Sequence, residues 1–243
     1  MAASRIVEGA GVPLAVSETG AGPAVLLIHD MAADSASLAP IAGARTIVYD
    51  RRGYGASGAP EPFEATTINE QGEDAAAVLR ATSTRPAIVA GEGFGALVAL
   101  DLLTRHQPLA AAAVLRDPPL FAFVPEAAEA LAAERLLLED ALREAGPGLA
   151  VERWLGGGAD PARLERARAA AGAFFADVAG LATWPVTRAT LRAIAVPVVV
   201  QTSTSAPAHV AAAARALTEL IPGADAETGD DLAAAVRLPT RDA

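Results

Sequence analysis

Short runs of apolar, β-branched residues punctuate the chain, and between them apolar positions recur at helical spacing. Arg5–Val7 and Pro13–Ser17 predict an opening antiparallel pair, joined by a turn around Gly9–Gly11. Ala24–His29 (AVLLIH), Thr46–Tyr49 (TIVY), Pro86–Ala90 (PAIVA), Ala111–Leu115 (AAAVL) and Val196–Gln201 (VPVVVQ) are more continuously apolar. Runs of that kind fit strands covered on both faces. Ala224–Glu227 predicts a weaker last strand, bringing the total to eight. Ile68–Ala81, Phe94–His106 and Pro207–Ile221 carry helical periodicity, and Asp230–Val236 predicts a short terminal helix. Thr67 followed by Glu70 fits a capping box at the start of the first of these helices.

Strand and helix alternate until Leu120, and the alternation then breaks until about Thr190. That stretch has helical patterns at Pro125–Ala145, Leu149–Leu155 and Pro161–Ala179, separated by glycines at Gly146–Gly148 and Gly156–Gly158. The expected organisation is an α/β core from residues 1–118 and 191–243, with residues 119–190 forming an inserted helical cap. Strand, helix and strand in sequence place parallel neighbours in one sheet.

Four local signatures, in order and each in a strand–loop–helix context, resemble those of the α/β-hydrolase superfamily. Gly20–Asp30 (GAGPAVLLIHD) looks like the strand that ends in the family's His-Gly oxyanion segment. Tyr49–Gly58 (YDRRGYGASG) looks like its Asp-Arg-Gly-x-Gly-x-Ser loop, with one extra arginine. Gly91–Gly95 (GEGFG) stands where the family has its G-x-S-x-G nucleophile elbow. Ile194–Val200 and Leu217–Gly223 look like the strand and helix that precede the catalytic histidine. The resemblance implies a mostly parallel eight-stranded sheet with helices on both faces and a lid. The branch it suggests is that of lidded epoxide hydrolases, C–C hydrolases and esterases.

The same resemblance puts a glycine, Gly93, at the apex where the family carries its serine. Glycine has no oxygen to attack with, and without a Cβ it tolerates the strained turn. The family histidine follows the last strand, where this chain has Glu227-Thr228-Gly229-Asp230-Asp231. The family acid follows Val198–Gln201, where this chain has Thr202 to Ser205; some branches place it one strand earlier, at Asp117. The prolines after Asp117 also suit a turn former. Losing serine or histidine from a working triad costs about a million-fold in turnover. The oxyanion apparatus and binding alone leave roughly 10³–10⁴-fold over water.

The oxyanion apparatus is the part that the resemblance leaves in place. The Phe94 N–H, at a helix N-terminus, and the Met31 N–H are expected to point into the pocket. Asp30 stands where the family has glycine. There it would repel an oxyanion, or have its pKa raised and act as a proton donor or acceptor. Alternatively it turns away and caps the following turn. Glu92, beside the apex, is expected to project sideways. His29 corresponds to a residue that packs beneath the oxyanion loop, or it borders a ligand. His106 suits the end of its helix. His209 opens the helix after Val198–Gln201, on the side of the sheet where ligands bind.

Composition narrows these options. Apolar residues make up 52% of the 243 residues but aromatics only 4%, so Ala, Val and Leu must build the core. Phe121, Phe123, Trp154, Phe174, Phe175 and Trp184 gather most of the aromatics in or beside the insert. That favours an apolar or aromatic small molecule, with Phe121, Trp154 and Trp184 as binding candidates. There is no cysteine and no lysine, which excludes thiolate, Schiff-base and Walker-lysine chemistry. A net charge of −10 without a basic cluster argues against nucleic acid or an anionic membrane as partner. No run approaches the roughly 20 apolar residues that span a bilayer. Met1–Glu8 lacks the features of a signal peptide, so a cytoplasmic protein, monomer or homodimer, is expected. No cofactor or metal is called for.

Three readings of the site remain open. The protein binds a small molecule without chemistry. It is a non-hydrolytic enzyme of the lyase, isomerase or cyclase kind, with Asp30, Asp117 and His209 as candidate acids and bases. Or it is a hydrolase in which Ser203, Ser205 or a carboxylate-activated water replaces the apex serine. The fold alone does not choose among them.

Overall fold

The computed structural model describes residues 3–125, 127–156, 158–181 and 183–238. Glu126 and Gly157, within two of the sequence patterns above, lie outside the described residues. The strands are β1 (Ala3–Glu8), β2 (Pro13–Gly20), β3 (Ala24–Ile28), β4 (Arg45–Tyr49), β5 (Ala87–Glu92), β6 (Ala110–Arg116), β7 (Val198–Thr202) and β8 (Asp225–Thr228). They form one eight-stranded sheet in the order β1-β2-β4-β3-β5-β6-β7-β8. β2 pairs antiparallel with both β1 and β4, and every other pairing is parallel.

The pleat sorts the strand residues onto two faces. Leu26, Ile28, Val89 and Leu115 join the larger core, with α1 (Ile68–Thr82), α2 (Phe94–His106) and α8 (Ala208–Leu220). Val25, Leu27, Ile88, Ala90 and Val114 point the other way. There, among the described residues, they meet the four-residue helix α9 (Leu232–Ala235) and the segments around Ile41 and Val236. Both faces are covered, but unequally. The capping box at Thr67 forms as expected: Thr67 Oγ1 accepts from Glu70 N–H at 3.1 Å, and Glu70 accepts from Thr67 N–H at 2.8 Å.

Between β6 and β7 the chain forms α3 (Ala127–Ala145), α4 (Pro147–Leu155), α5 (Pro161–Ala169), α6 (Ala171–Leu181) and α7 (Arg188–Arg192). The single pattern read over Pro161–Ala179 is two helices, separated at Ala170. No helix among the described residues is long and apolar enough to cross a membrane.

Arg51 and Asp177 tie this helical insert to the sheet. Both are buried, and they pair at 2.8 Å. Arg51 also donates to the His29 and Asp30 carbonyls and to Gln71 Oε1. Asp177 also accepts from Tyr54 Oη at 2.8 Å and Gln71 Nε2 at 2.7 Å. Every strong donor and acceptor of the pair has a partner, which is what a buried ion pair needs to be tolerated. The extra arginine in the Tyr49–Gly58 loop, Arg52, is separately held by a bidentate pair with Asp74 at 2.7 and 3.0 Å.

Candidate functional site

In open α/β sheets ligands bind beyond the carboxyl ends of the strands, where strand order reverses. Here β3 lies between β4 and β5, and the chain runs from β3 to one neighbour and then returns to the other. The residues after β3 and β5 therefore meet at the switch point. They are His29-Asp30-Met31 and Gly93-Phe94.

Gly93 is the apex of the turn from β5 into α2, with φ 54° and ψ −123°. Only glycine adopts that backbone without strain. The approach around it is close. A Cβ on Gly95 would lie 2.3 Å from the Ile28 carbonyl oxygen, so glycine there lets α2 pack against the end of β3. A Cβ on Gly93 would meet the Asp30 carboxyl, at 2.0 Å from Oδ1 and 2.3 Å from Oδ2. The space that a side chain at the apex would take is filled by the side chain of residue 30.

Asp30 is held there by hydrogen bonds. Its Oδ1 accepts from the Met31 N–H at 2.7 Å and from the Phe94 N–H at 2.7 Å. These are the two donors that the sequence places in an oxyanion cradle. Asp30 does not turn away to cap a turn, and it does not merely stand near the cradle. It occupies it. Burial pushes the Asp30 pKa up, while the two N–H bonds and the Arg51 guanidinium pull it back. No hydrogen bond to Oδ2 is made by the described residues, and Asp30 lines a cavity of about 400 Å³.

Of the other residues singled out in the sequence, Met31, Gly93, Asp117, Phe121, Trp154 and His209 line this same cavity. Asp117 has φ 46°, and its Oδ1 accepts from the Ser203 N–H at 2.8 Å. His209 packs against Phe121, ring centroids 5.2 Å apart. Trp184 lies further out, lining an apolar chamber of about 620 Å³, and donates to Asp101 at 3.0 Å. Cavity and chamber adjoin, sharing Met31, Pro119, Phe121, Glu134 and Leu181.

His29 does not reach the cavity. It is fully buried; Nε2 accepts from the Arg51 N–H at 3.0 Å, so Nδ1 is the atom that donates to the Asp30 carbonyl at 2.7 Å. Burial and the Arg51 guanidinium push its pKa well down, and it stays neutral. His106 ends α2 in a surface cluster with Glu73 and Arg80. Glu92 projects sideways, as expected, into a separate polar cavity of about 290 Å³ with Arg163 and Arg166. Burial and the nearby Asp30 charge push its pKa up to about 7, against Arg116 and Arg163.

The loop after β8 carries no imidazole. Asp230 accepts from Thr204 N–H and Oγ1 at 2.8 and 2.6 Å, stitching that loop to the one after β7. Asp231 caps α9 through the Ala233 N–H. Ser203 and Ser205 do not line the cavity above Gly93.

Sequence reasoning missed Glu134, which stands at the junction of cavity and chamber and accepts from Trp154 Nε1. As one of several glutamates on α3, it carried no signal. It also missed Asp177, which did carry one: it is the lone charge in the otherwise apolar α6 (AGAFFADVAGL).

A family profile described as the alpha/beta hydrolase family matches residues 25–235, most of the chain. This protein belongs to the alpha/beta hydrolase family. Two curated relatives are 31% identical to it over part of their length. One is the uncharacterized hydrolase YraK of Bacillus subtilis, aligned over 105 residues, 41% of this chain and 38% of that protein. The other is a 2-(acetamidomethylene)succinate hydrolase of Mesorhizobium japonicum, over 120 residues, 47% and 42%. The matched region thus spans about two fifths of either relative. Among solved structures, an alpha/beta hydrolase from Sphaerobacter thermophilus superposes with a TM-score of 0.74, at 25% identity over 93% of both chains. The carboxylesterase CesB of Bacillus subtilis shares the fold, with a TM-score of 0.72 at 20% identity, covering 96% of this chain and 85% of that one.

Proposed function

We propose that this alpha/beta hydrolase family member works without a serine nucleophile. In this reading it holds a small apolar molecule between the sheet and a lid formed by residues 119–190, and presents the Asp30 carboxylate to it as an acid–base group. The observation that carries the reading is the position of Asp30. One oxygen takes both N–H donors above Gly93, and the other is left toward the cavity. A substrate carbonyl would have to displace an anion from the cradle before any serine-type step. No hydroxyl stands at the apex to carry out that step. A desolvated carboxylate fixed in one orientation is instead suited to removing or returning a proton, since burial makes it more basic than in water. Asp117 and His209, on the same cavity, are the candidates for the complementary proton transfer.

A second reading is favoured by the names of the relatives, which are hydrolases. There Asp30 Oδ2 would activate a water rather than a carbon-bound proton. Both readings make Asp30 the working group and Gly93 a spectator.

Ring opening of 5-nitrobenzisoxazole tests the reading, because it needs only a base that removes one carbon-bound proton. The N–O bond breaks and the coloured cyanophenolate is released. The protein is expected to accelerate it above an equal concentration of acetate, and Asp30→Asn to abolish the gain. Asparagine can still accept both N–H bonds, so the variant is expected to fold. Equal rates for the two proteins would rule out Asp30 as the base. Release of p-nitrophenol from short-chain esters at a rate unchanged by Asp30→Asn would rule out both readings.

A further inference from the structure

The groups facing the cavity above Gly93 define the kind of ligand it takes, and this inference rests on Asp30 being the group that meets the ligand. The two backbone donors nearest its floor, Met31 N–H and Phe94 N–H, are consumed by Asp30 Oδ1. Asp117 Oδ1 is taken by the Ser203 N–H, from outside the cavity lining. Trp154 Nε1 is consumed by Glu134 Oε1. What remains is three carboxylate acceptors and the His209 ring, whose nitrogens make no hydrogen bond among the described residues. Asp30 Oδ2 and Glu134 Oε2 have no hydrogen-bond partner among the described residues. The Asp117 Oδ2 has Arg116 Nε no closer than 3.9 Å, outside hydrogen-bond reach. No arginine is among the residues lining this cavity, and the chain has no lysine.

Among the described residues no group of three or more His, Asp or Glu could hold a metal ion. The walls between the carboxylates are aromatic, from Trp154 and Phe121, and the adjoining chamber of about 620 Å³ is lined mainly by leucine, valine and aromatic side chains. The chamber's one cation, Arg135, is paired with Glu139 at 2.6 Å. The Asp30 carboxylate already places an anion on the two N–H donors at the floor of the cavity.

We propose that the cavity selects an amine: an ammonium head seated among Asp30, Asp117 and Glu134, against the faces of Trp154 and Phe121, with an apolar or aromatic body in the chamber. The head supplies donors to the three carboxylate oxygens, which outnumber the one N–H that a neutral His209 can offer. Aromatic faces attract a cation where a neutral alcohol gains only burial. A carboxylate on the same body meets like charge on three sides.

Isothermal titration with three ligands that share one body, 3-phenylpropylamine, 3-phenylpropanol and 3-phenylpropionate, tests this. The amine is expected to bind at least tenfold more tightly than the alcohol, and the carboxylate to give no heat at the same concentrations. Asp30→Asn and Glu134→Gln are each expected to cut the amine's advantage over the alcohol fivefold or more. Equal affinities, tighter binding of the carboxylate, or binding of none of the three would overturn the proposal. Benzisoxazole ring opening that still depends on Asp30 would then show that only the ligand class had failed. Amine selectivity without ring opening would retire the acid–base reading and keep this one.

Discussion

Two aspartates, Asp177 and Asp30, meet opposite needs on the two sides of one arginine. Arg51 Nη2 donates to the Asp177 carboxylate and to the Asp30 carbonyl, so both residues are fixed by the same guanidinium. Asp177 is fully buried and has its cation, a tyrosine hydroxyl and a glutamine amide. Asp30 has two backbone N–H groups on one oxygen and a cavity on the other. The first is what a carboxylate needs to be tolerated inside a protein. The second leaves a basic oxygen unspent, at the switch point of the sheet. The difference separates an acid that holds the insert in place from the one to which the proposed function gives a chemical role.

Stability measurements can break that comparison. Asp177→Ala strands the Arg51 charge in the core and is expected to cost about 3–5 kcal/mol. Asp30→Asn, which keeps an acceptor for both N–H groups, is expected to cost under about 1 kcal/mol by contrast. Urea unfolding of the two variants checks it. Similar losses would mean that Asp30 is a structural acid too.

A smaller effect sharpens the link between Asp30 and the apex. Gly93→Ser adds a Cβ at a backbone angle that disfavours it, within 2.0–2.3 Å of the Asp30 carboxyl. It is expected to cost about 2–4 kcal/mol. In Asp30→Gly/Gly93→Ser the overlap is gone. The double variant is expected to be more stable than the two single losses predict, by about 0.5–3 kcal/mol. Strict additivity by thermal or denaturant unfolding would show that residues 30 and 93 do not compete for one space. Neither serine variant is expected to become a fast esterase, because no imidazole stands on the loop after β8.

The fold was legible because its signals are local and ordered. The strand runs, the capping box at Thr67 and the pentad at Gly91–Gly95 each depend on nearby residues. The place of Gly93 at the turn from β5 into α2 was legible for the same reason, as was the sideways course of Glu92. The thin second face was not, since the apolar runs of β3 and β5 say both faces are covered but not by how much. The orientation of Asp30 was also beyond the sequence. Capping a turn and filling a cradle use the same residue, and the choice depends on the Phe94 N–H, 64 positions away. Glu134 and Asp177 likewise depend on how the insert sits against the sheet. His29 shows another limit: the sequence left it between packing beneath the loop and bordering a ligand, and the structure, with both ring nitrogens buried and paired, does not support it as a binding residue.

Two-dimensional NMR of the uniformly ¹⁵N-labelled protein across an acid titration tests the seating of Asp30 most directly. The amide signals of Met31 and Phe94 are expected to shift together, with one common midpoint above the usual aspartate value, and to lose that titration in Asp30→Asn. Amides that titrate separately, or that do not respond to the Asp30 charge at all, would contradict the account.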